Sequence, residues 1–87
     1  MTYSLAILPA ALRQLTELPR LEQRRLKERI DRLAVDPRPP GVKRLQGRRE
    51  YLRLRSGDYR AIYTVDDDRF TVLIIKIGQR REVYRTL

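Results

Sequence analysis

Residues 50–63 read Glu-Tyr-Leu-Arg-Leu-Arg-Ser-Gly-Asp-Tyr-Arg-Ala-Ile-Tyr, and their alternation decides how the rest of the chain can be arranged. Leu52 and Leu54 fall between Tyr51, Arg53 and Arg55, so an extended strand here turns leucines to one face and guanidinium groups to the other. Ser56-Gly57-Asp58 then supplies a glycine able to take φ > 0 and an aspartate able to bond its own backbone, a composition suited to a tight reversal between antiparallel strands. Tyr59 to Val65 resumes in aromatic and β-branched residues, which favour a second strand. Arg60, near the start of that strand, is thereby brought to the Arg53 and Arg55 end of its partner, where like charges repel. The expectation is a hairpin with one packing face and one cationic face. Such a face serves equally as a solvated surface or as a seat for an anion.

Upstream, Tyr3 to Leu8 predicts a short strand, and Leu8-Pro9 places a proline where a first helix begins. Ala11 or Leu12, Leu15 and Leu18 form the apolar stripe of that helix, which stops at Leu18-Pro19. A second helix is predicted from about Pro19 to Val35, with Leu26, Ile30 and Leu33 facing inward. Its other faces carry Arg24, Arg25, Lys27, Glu28, Arg29, Asp31 and Arg32, read as a solvated surface with weak ion pairs such as Glu28 to Arg32. Asp36-Pro37-Arg38-Pro39-Pro40-Gly41 cannot continue a helix, because its prolines remove donors and push preceding residues to extended backbone. It is a stiff connector into the hairpin, too short to separate domains. Downstream, Asp66-Asp67-Asp68-Arg69 marks a second reversal. Phe70 to Ile77 is apolar at nearly every position, as in a central strand covered on both faces. Gly78 ends that strand, and Gln79-Arg80-Arg81 follows. The order β-α-α-β-β-β predicts one α+β domain over residues 1–87, with two N-terminal helices packed on a small four-stranded, largely antiparallel sheet.

The chain has no cysteine and no histidine, which excludes disulfides, cysteine nucleophiles, the usual Cys/His zinc sites and histidine base catalysis. Its longest uninterrupted apolar run, Val72-Leu73-Ile74-Ile75, is far short of the ~20 residues of a membrane span. The N-terminus lacks the basic region and apolar stretch of a signal peptide, so the expected location is cytoplasmic. Net charge is +9, and it is clustered: Pro37 to Arg60 holds Arg38, Lys43, Arg44, Arg48, Arg49, Arg53, Arg55 and Arg60 against Glu50 and Asp58. A polyanionic partner follows from that clustering, either nucleic acid or an acidic protein segment.

Four short stretches, in this order and spacing, carry a resemblance that spans nearly the whole chain. They are Asp36-Pro37-Arg38, Lys43-Arg44-Leu45-Gln46-Gly47, Gly57-Asp58-Tyr59-Arg60-Ala61-Ile62-Tyr63 and Ile77-Gly78-Gln79-Arg80-Arg81-Glu82-Val83-Tyr84. The sequence resembles the RelE/ParE superfamily of toxins from toxin–antitoxin pairs, on the RelE side. The resemblance implies a ribosome-dependent endoribonuclease that cuts mRNA in the decoding site without metal or other cofactor. In that chemistry the 2′-hydroxyl attacks the adjacent phosphate and leaves a cyclic phosphate and a free 5′-hydroxyl. By family position Arg60 and Arg80 would flank the scissile phosphate, and Tyr84 would approach the 2′-hydroxyl or stack on a base. Arginine suits the charge-stabilising task, since its planar fork grips two phosphate oxygens and stays charged. Guanidinium groups around Tyr84 would favour its anion. Arg53 and Arg55 would lie beside the substrate backbone, with Lys43, Arg44, Arg48, Arg49 and Arg81 as general phosphate contacts. Gln79 stands where many relatives carry a proton-transferring histidine, and the chain stops at Leu87, short of any long C-terminal helix of the kind some relatives place over the site.

The resemblance also implies an acidic, RelB-like antitoxin that covers the basic face and supplies the DNA-binding part of an autoregulatory complex, so that operator DNA is met only through it. Two further readings share the fold: a ParE-like inhibitor of DNA gyrase, and a catalytically weakened toxin serving mainly as the antitoxin's partner in a repressor complex. The joint presence of Arg60, Arg80 and Tyr84 favours the nuclease, and Gln79 keeps the weakened toxin in view.

Overall fold

The computed structural model describes residues 2–79 and 83 of the 87-residue chain, with Arg48 and Arg49 described by backbone alone. From the N-terminus the elements are β1 (Ser4–Ile7), α1 (Pro9–Thr16), α2 (Arg20–Arg32), β2 (Lys43–Leu45), β3 (Arg48–Ser56), β4 (Tyr59–Asp66) and β5 (Thr71–Gln79). Among the described residues no helix is long and apolar enough to cross a membrane.

The hairpin forms where its alternation requires. Leu52, Leu54, Ala61 and Tyr63 of β3 and β4 point into the core, and Ser56 pairs with Tyr59 across a two-residue loop. Gly57 takes φ +61 while Asp58 keeps a negative φ, the pattern of a type II′ turn, whose twist matches the flanking strands. The second reversal also uses the aspartates: Oδ1 of Asp66 accepts from the backbone N–H groups of Asp68 and Arg69, both at 3.1 Å.

The sheet departs from the sequence expectation in strand number and in one pairing. It has five strands in the order β1-β5-β4-β3-β2, and β1 runs parallel to β5, with Ser4 opposite Thr71 and Ile7 opposite Ile74. The sheet is therefore mixed. The missed strand, β2, is three residues of which two are charged, so it has neither the length nor the alternation of a strand signal. It exists because β3 is long enough to hold it antiparallel, with Lys43 opposite Arg53 and Arg44 opposite Leu52. β5 is an interior strand, between β1 and β4, rather than the central one, which is β4; Leu73 and Ile75 are only half-buried, so its two faces are not equally covered.

Both helices pack on one face of the sheet. Ala11 and Leu15 of α1, and Leu26 and Ile30 of α2 with Leu33 just beyond it, meet Leu52, Leu54, Ala61, Tyr63, Val72, Ile74 and Ile77 in a single core. α1 ends at Thr16 rather than Leu18, and α2 ends at Arg32, where Leu33, Ala34 and Val35 continue in tighter turns that bond three residues back. Gln14 then reaches past the end of β1 and accepts the Ile77 N–H at 2.8 Å, satisfying a donor on the edge of β5 that β1 is too short to cover.

The proline-rich connector is pinned at the end of the sheet remote from the hairpin tip. Tyr63 is fully buried and its hydroxyl donates to the Pro37 carbonyl at 2.7 Å; burial pushes its pKa up, so it is a packing residue with a satisfied polar end. Arg38 donates twice to Asp67, at 3.1 and 2.9 Å, and the Tyr3 hydroxyl donates to the same carboxylate at 2.7 Å. Hydrogen bonds from Arg38 first and Tyr3 second hold the Asp67 pKa below the usual carboxylate value. A depressed carboxylate pKa contributes stability that is present above the unfolded-state pKa and lost as pH falls through the folded-state value. Urea melts of wild type and Arg38→Ala should therefore differ modestly at neutral pH, since the pair is exposed, and converge as pH drops through the carboxylate range. A gap that persists at the lowest pH would assign Arg38 a packing role instead.

Candidate functional site

Strand register alone gathers the cations that the sequence singled out. On the sheet face opposite the helices, Arg55 of β3 is the direct cross-strand partner of Arg60 on β4, and Lys43 of β2 is the partner of Arg53 on β3. Side chains on neighbouring strands at paired positions share a face, so all four project to the same side. They line a cleft of 140 Å³ with Gly41, and every charge in that lining is positive. Gly41 has φ +90, a backbone conformation that favours glycine, and it lets the connector turn down beside Lys43.

Arg53 and Arg60 are half-buried and Arg55 is exposed. The Arg55 Nε donates to the Gly57 carbonyl at 3.1 Å, which ties its guanidinium to the hairpin turn. Beneath the cations lies Ile62, fully buried although it sits outside the helix-covered core; its cross-strand neighbours are Arg53 and Lys76. Long cationic side chains cover apolar surface with their stems while keeping their heads in water, which accounts for the burial of Ile62 between Arg53 and Lys76. Like charges held opposite one another across strands destabilise a sheet, and this arrangement is relieved by an anion between them. A phosphate diester is an anion of suitable size and geometry for such a set of donors.

The other residues expected at a site fall in different places. Arg44 shares the side of Leu52, opposite to Lys43 and Arg53, so it stands apart from the cleft at the sheet edge. Arg38, part of the same basic stretch of sequence, is drawn away to Asp67. Arg80, Arg81 and Tyr84 lie outside the described residues, as do the side chains of Arg48 and Arg49. β5 brings the chain to Gln79, which pairs with Tyr59, the neighbour of Arg60, while Gly78 pairs with Arg60 itself and lies against Val83. Gly41 was not among the expected site residues; its signal was the close of a proline run just before the basic stretch.

Comparison with known proteins agrees with this architecture. Residues 5–84 match the family model described as ParE toxin of type II toxin-antitoxin system, parDE. A candidate toxin RelE1 of Methanocaldococcus jannaschii is 33% identical over 88 residues, covering 98% of each chain. Among solved structures, the RelE–RelB complex of Pyrococcus horikoshii OT3 superposes with a TM-score of 0.81 at 33% identity, over 94% of this chain and 99% of that one. The RelBE2 complex of Mycobacterium tuberculosis gives 0.79 at 27% identity, over 92% and 100%. With its architecture, its family-model match and a full-length relative one-third identical in agreement, the chain belongs to the RelE/ParE superfamily and is a toxin of a type II toxin–antitoxin system.

Proposed function

We propose that this toxin is a ribosome-dependent endoribonuclease that cuts mRNA in the decoding site. The observation that carries the reading is the cleft whose charged lining, Lys43, Arg53, Arg55 and Arg60, is wholly cationic and sits on the sheet face the helices leave open. Cleavage there is an internal transfer: the 2′-oxygen bonds to phosphorus, the bond from phosphorus to the 5′-oxygen breaks, the 2′-hydroxyl loses a proton and the departing oxygen gains one. The products are a 2′,3′-cyclic phosphate and a 5′-hydroxyl, and no metal or cofactor enters. Arg60 answers the charge that builds on the phosphoryl oxygens, where preorganised donors act most strongly. Arg80, which follows the last strand residue, serves the phosphate from the other side, and Tyr84 serves the 2′-hydroxyl. Arg53, Arg55 and Lys43 hold the flanking backbone, with Arg44, Arg48, Arg49 and Arg81 as outlying phosphate contacts.

Primer extension on mRNA carrying a defined codon in the decoding site of a reconstituted ribosome tests the reading. Wild type should cut within that codon and Arg80→Ala should not. If wild type leaves the mRNA intact, the nuclease assignment falls. The gyrase-inhibitor reading, favoured by the ParE family model that matches, would then be decided by loss of supercoiling activity. No effect in either assay would leave a weakened toxin, with Gln79 in place of a proton-transferring side chain.

An antitoxin is the proposed protein partner, since the Pyrococcus and Mycobacterium relatives were solved as complexes with theirs. Leu8 and Leu12 are exposed one helical turn apart at α1, and Leu21 is exposed at the start of α2. They give an amphipathic segment an apolar footing, and acidic residues on that segment would neutralise the +9 chain. Operator DNA is reached through the antitoxin, and the cytoplasm, where ribosomes work, is the site of action.

A further inference from the structure

Arg25, Arg29 and Arg32 recur at helical spacing along one side of α2, and that side faces the hairpin tip. With Glu28, Ser56 and Gly57 they line a second cleft of 360 Å³. We propose that this cleft is a second phosphate-binding track, joined around the hairpin tip to the cationic cleft, which holds the same single RNA strand beyond the cut. The choice of RNA as occupant rests on the nuclease reading above.

Three observations support it. The two clefts border on consecutive residues: Arg55 lines the first, Ser56 and Gly57 line the second, and Arg55 Nε bonds the Gly57 carbonyl between them. A strand leaving the first cleft over this tip meets α2. Next, the α2 arginines are not spent on carboxylates. Arg25 lies 3.9 Å from Glu22, a loose pair, and among the described residues neither Arg29 nor Arg32 forms an ion pair, although Glu28 shares their cleft. Finally, the lining has no apolar side chain, whereas the buried centre of a protein interface is apolar and aromatic. A sugar–phosphate backbone asks for charge, which the three arginines offer, and the Glu22 carboxylate, 3.5 Å from where a side chain on Gly57 would begin, bounds the track at the tip. The exposed leucines at α1 are the place for a protein partner.

The test is fluorescence anisotropy of a labelled 2′-O-methyl oligonucleotide, which cannot be cut, across a salt series. Each phosphate contact on a single strand adds about 0.7 to the slope of log affinity against log salt. Arg25→Ala/Arg29→Ala/Arg32→Ala should lower that slope by about 2. The matching triple lysine variant should keep it. Arg13→Ala/Arg20→Ala/Arg69→Ala, which removes equal charge elsewhere, should change it by less than about 0.5. Equal effects of the two alanine triples, or no effect of the first, would overturn the track. So would unchanged RNA binding coupled with weaker antitoxin binding, which would give the cleft to a protein. Because the probe is inert, a wild type that fails to cut mRNA while these slopes hold would remove the nuclease and leave the track.

Discussion

Arg60→Ala should lower the single-turnover rate of mRNA cleavage by ~10²–10³-fold, the usual cost of losing one preorganised donor to transition-state charge. Its place in the fold makes this the most informative arginine. Arg60 is held between Arg55 on β3 and Gly78 on β5, in the middle of the sheet rather than on a loop, so its direction is set by two ladders of backbone hydrogen bonds. It lines the cationic cleft and is half-buried, which weakens the competition from water. Arg60→Lys should recover only part of the loss, because an ammonium is a point charge without the bidentate fork. Thermal melting of the same variant separates the two causes of a lost rate: a fall in rate at an unchanged melting temperature belongs to the site and not to the fold. A rate within about threefold of wild type, well below the usual cost, would take Arg60 out of the reacting site and leave it as a backbone contact.

Ile30→Ala should cost ~2–5 kcal/mol of stability by urea unfolding, with an unchanged dependence on denaturant. Ile30 is wholly buried near the end of α2 and is part of the core shared with β3 and β4. At ~0.05–0.15 kcal/mol per residue a chain of this length has only about 4–13 kcal/mol in total, so the variant stands near unfolding. The effect should reach function too. α2 is what backs the hairpin on the face opposite the cationic cleft, and a hairpin without backing is marginal in water. A loss below about 1 kcal/mol would mean that the core closes over the cavity and that α2 is less firmly seated than its burial implies.

The parts of the fold that were legible in the sequence are those written in periodicity. The alternation from Tyr51 to Arg55 and the glycine at 57 specify the hairpin locally, and Leu26, Ile30 and Leu33 specify the inner side of α2. β2 was not legible, because Lys43-Arg44-Leu45 is a strand only through the partner it borrows from β3. The parallel pairing of β1 with β5 was also hidden, since it joins the two ends of the chain and no local signal marks it. At the site, composition could gather Lys43, Arg53, Arg55 and Arg60 into one stretch but could not tell them from Arg38 and Arg44. Register made that separation: Arg44 faces the other way, and Arg38 is engaged by an aspartate remote in sequence. The α2 arginines looked like an ordinary wet surface, and only the packing of the helix across the hairpin tip gave them a common neighbour.

The strand that joins β1 to the rest of the sheet, β5, is the last of the five in sequence. Ser4 to Ile7 emerge early from the ribosome and find no partner until Thr71 to Ile74 follow, and β4 lacks its second neighbour for as long. Contacts so distant along the chain close late. The cationic face needs β4 held between β3 and β5, so it takes its final form only once Thr71 to Gln79 have been joined to the chain, and strand order sets the moment at which this surface first exists.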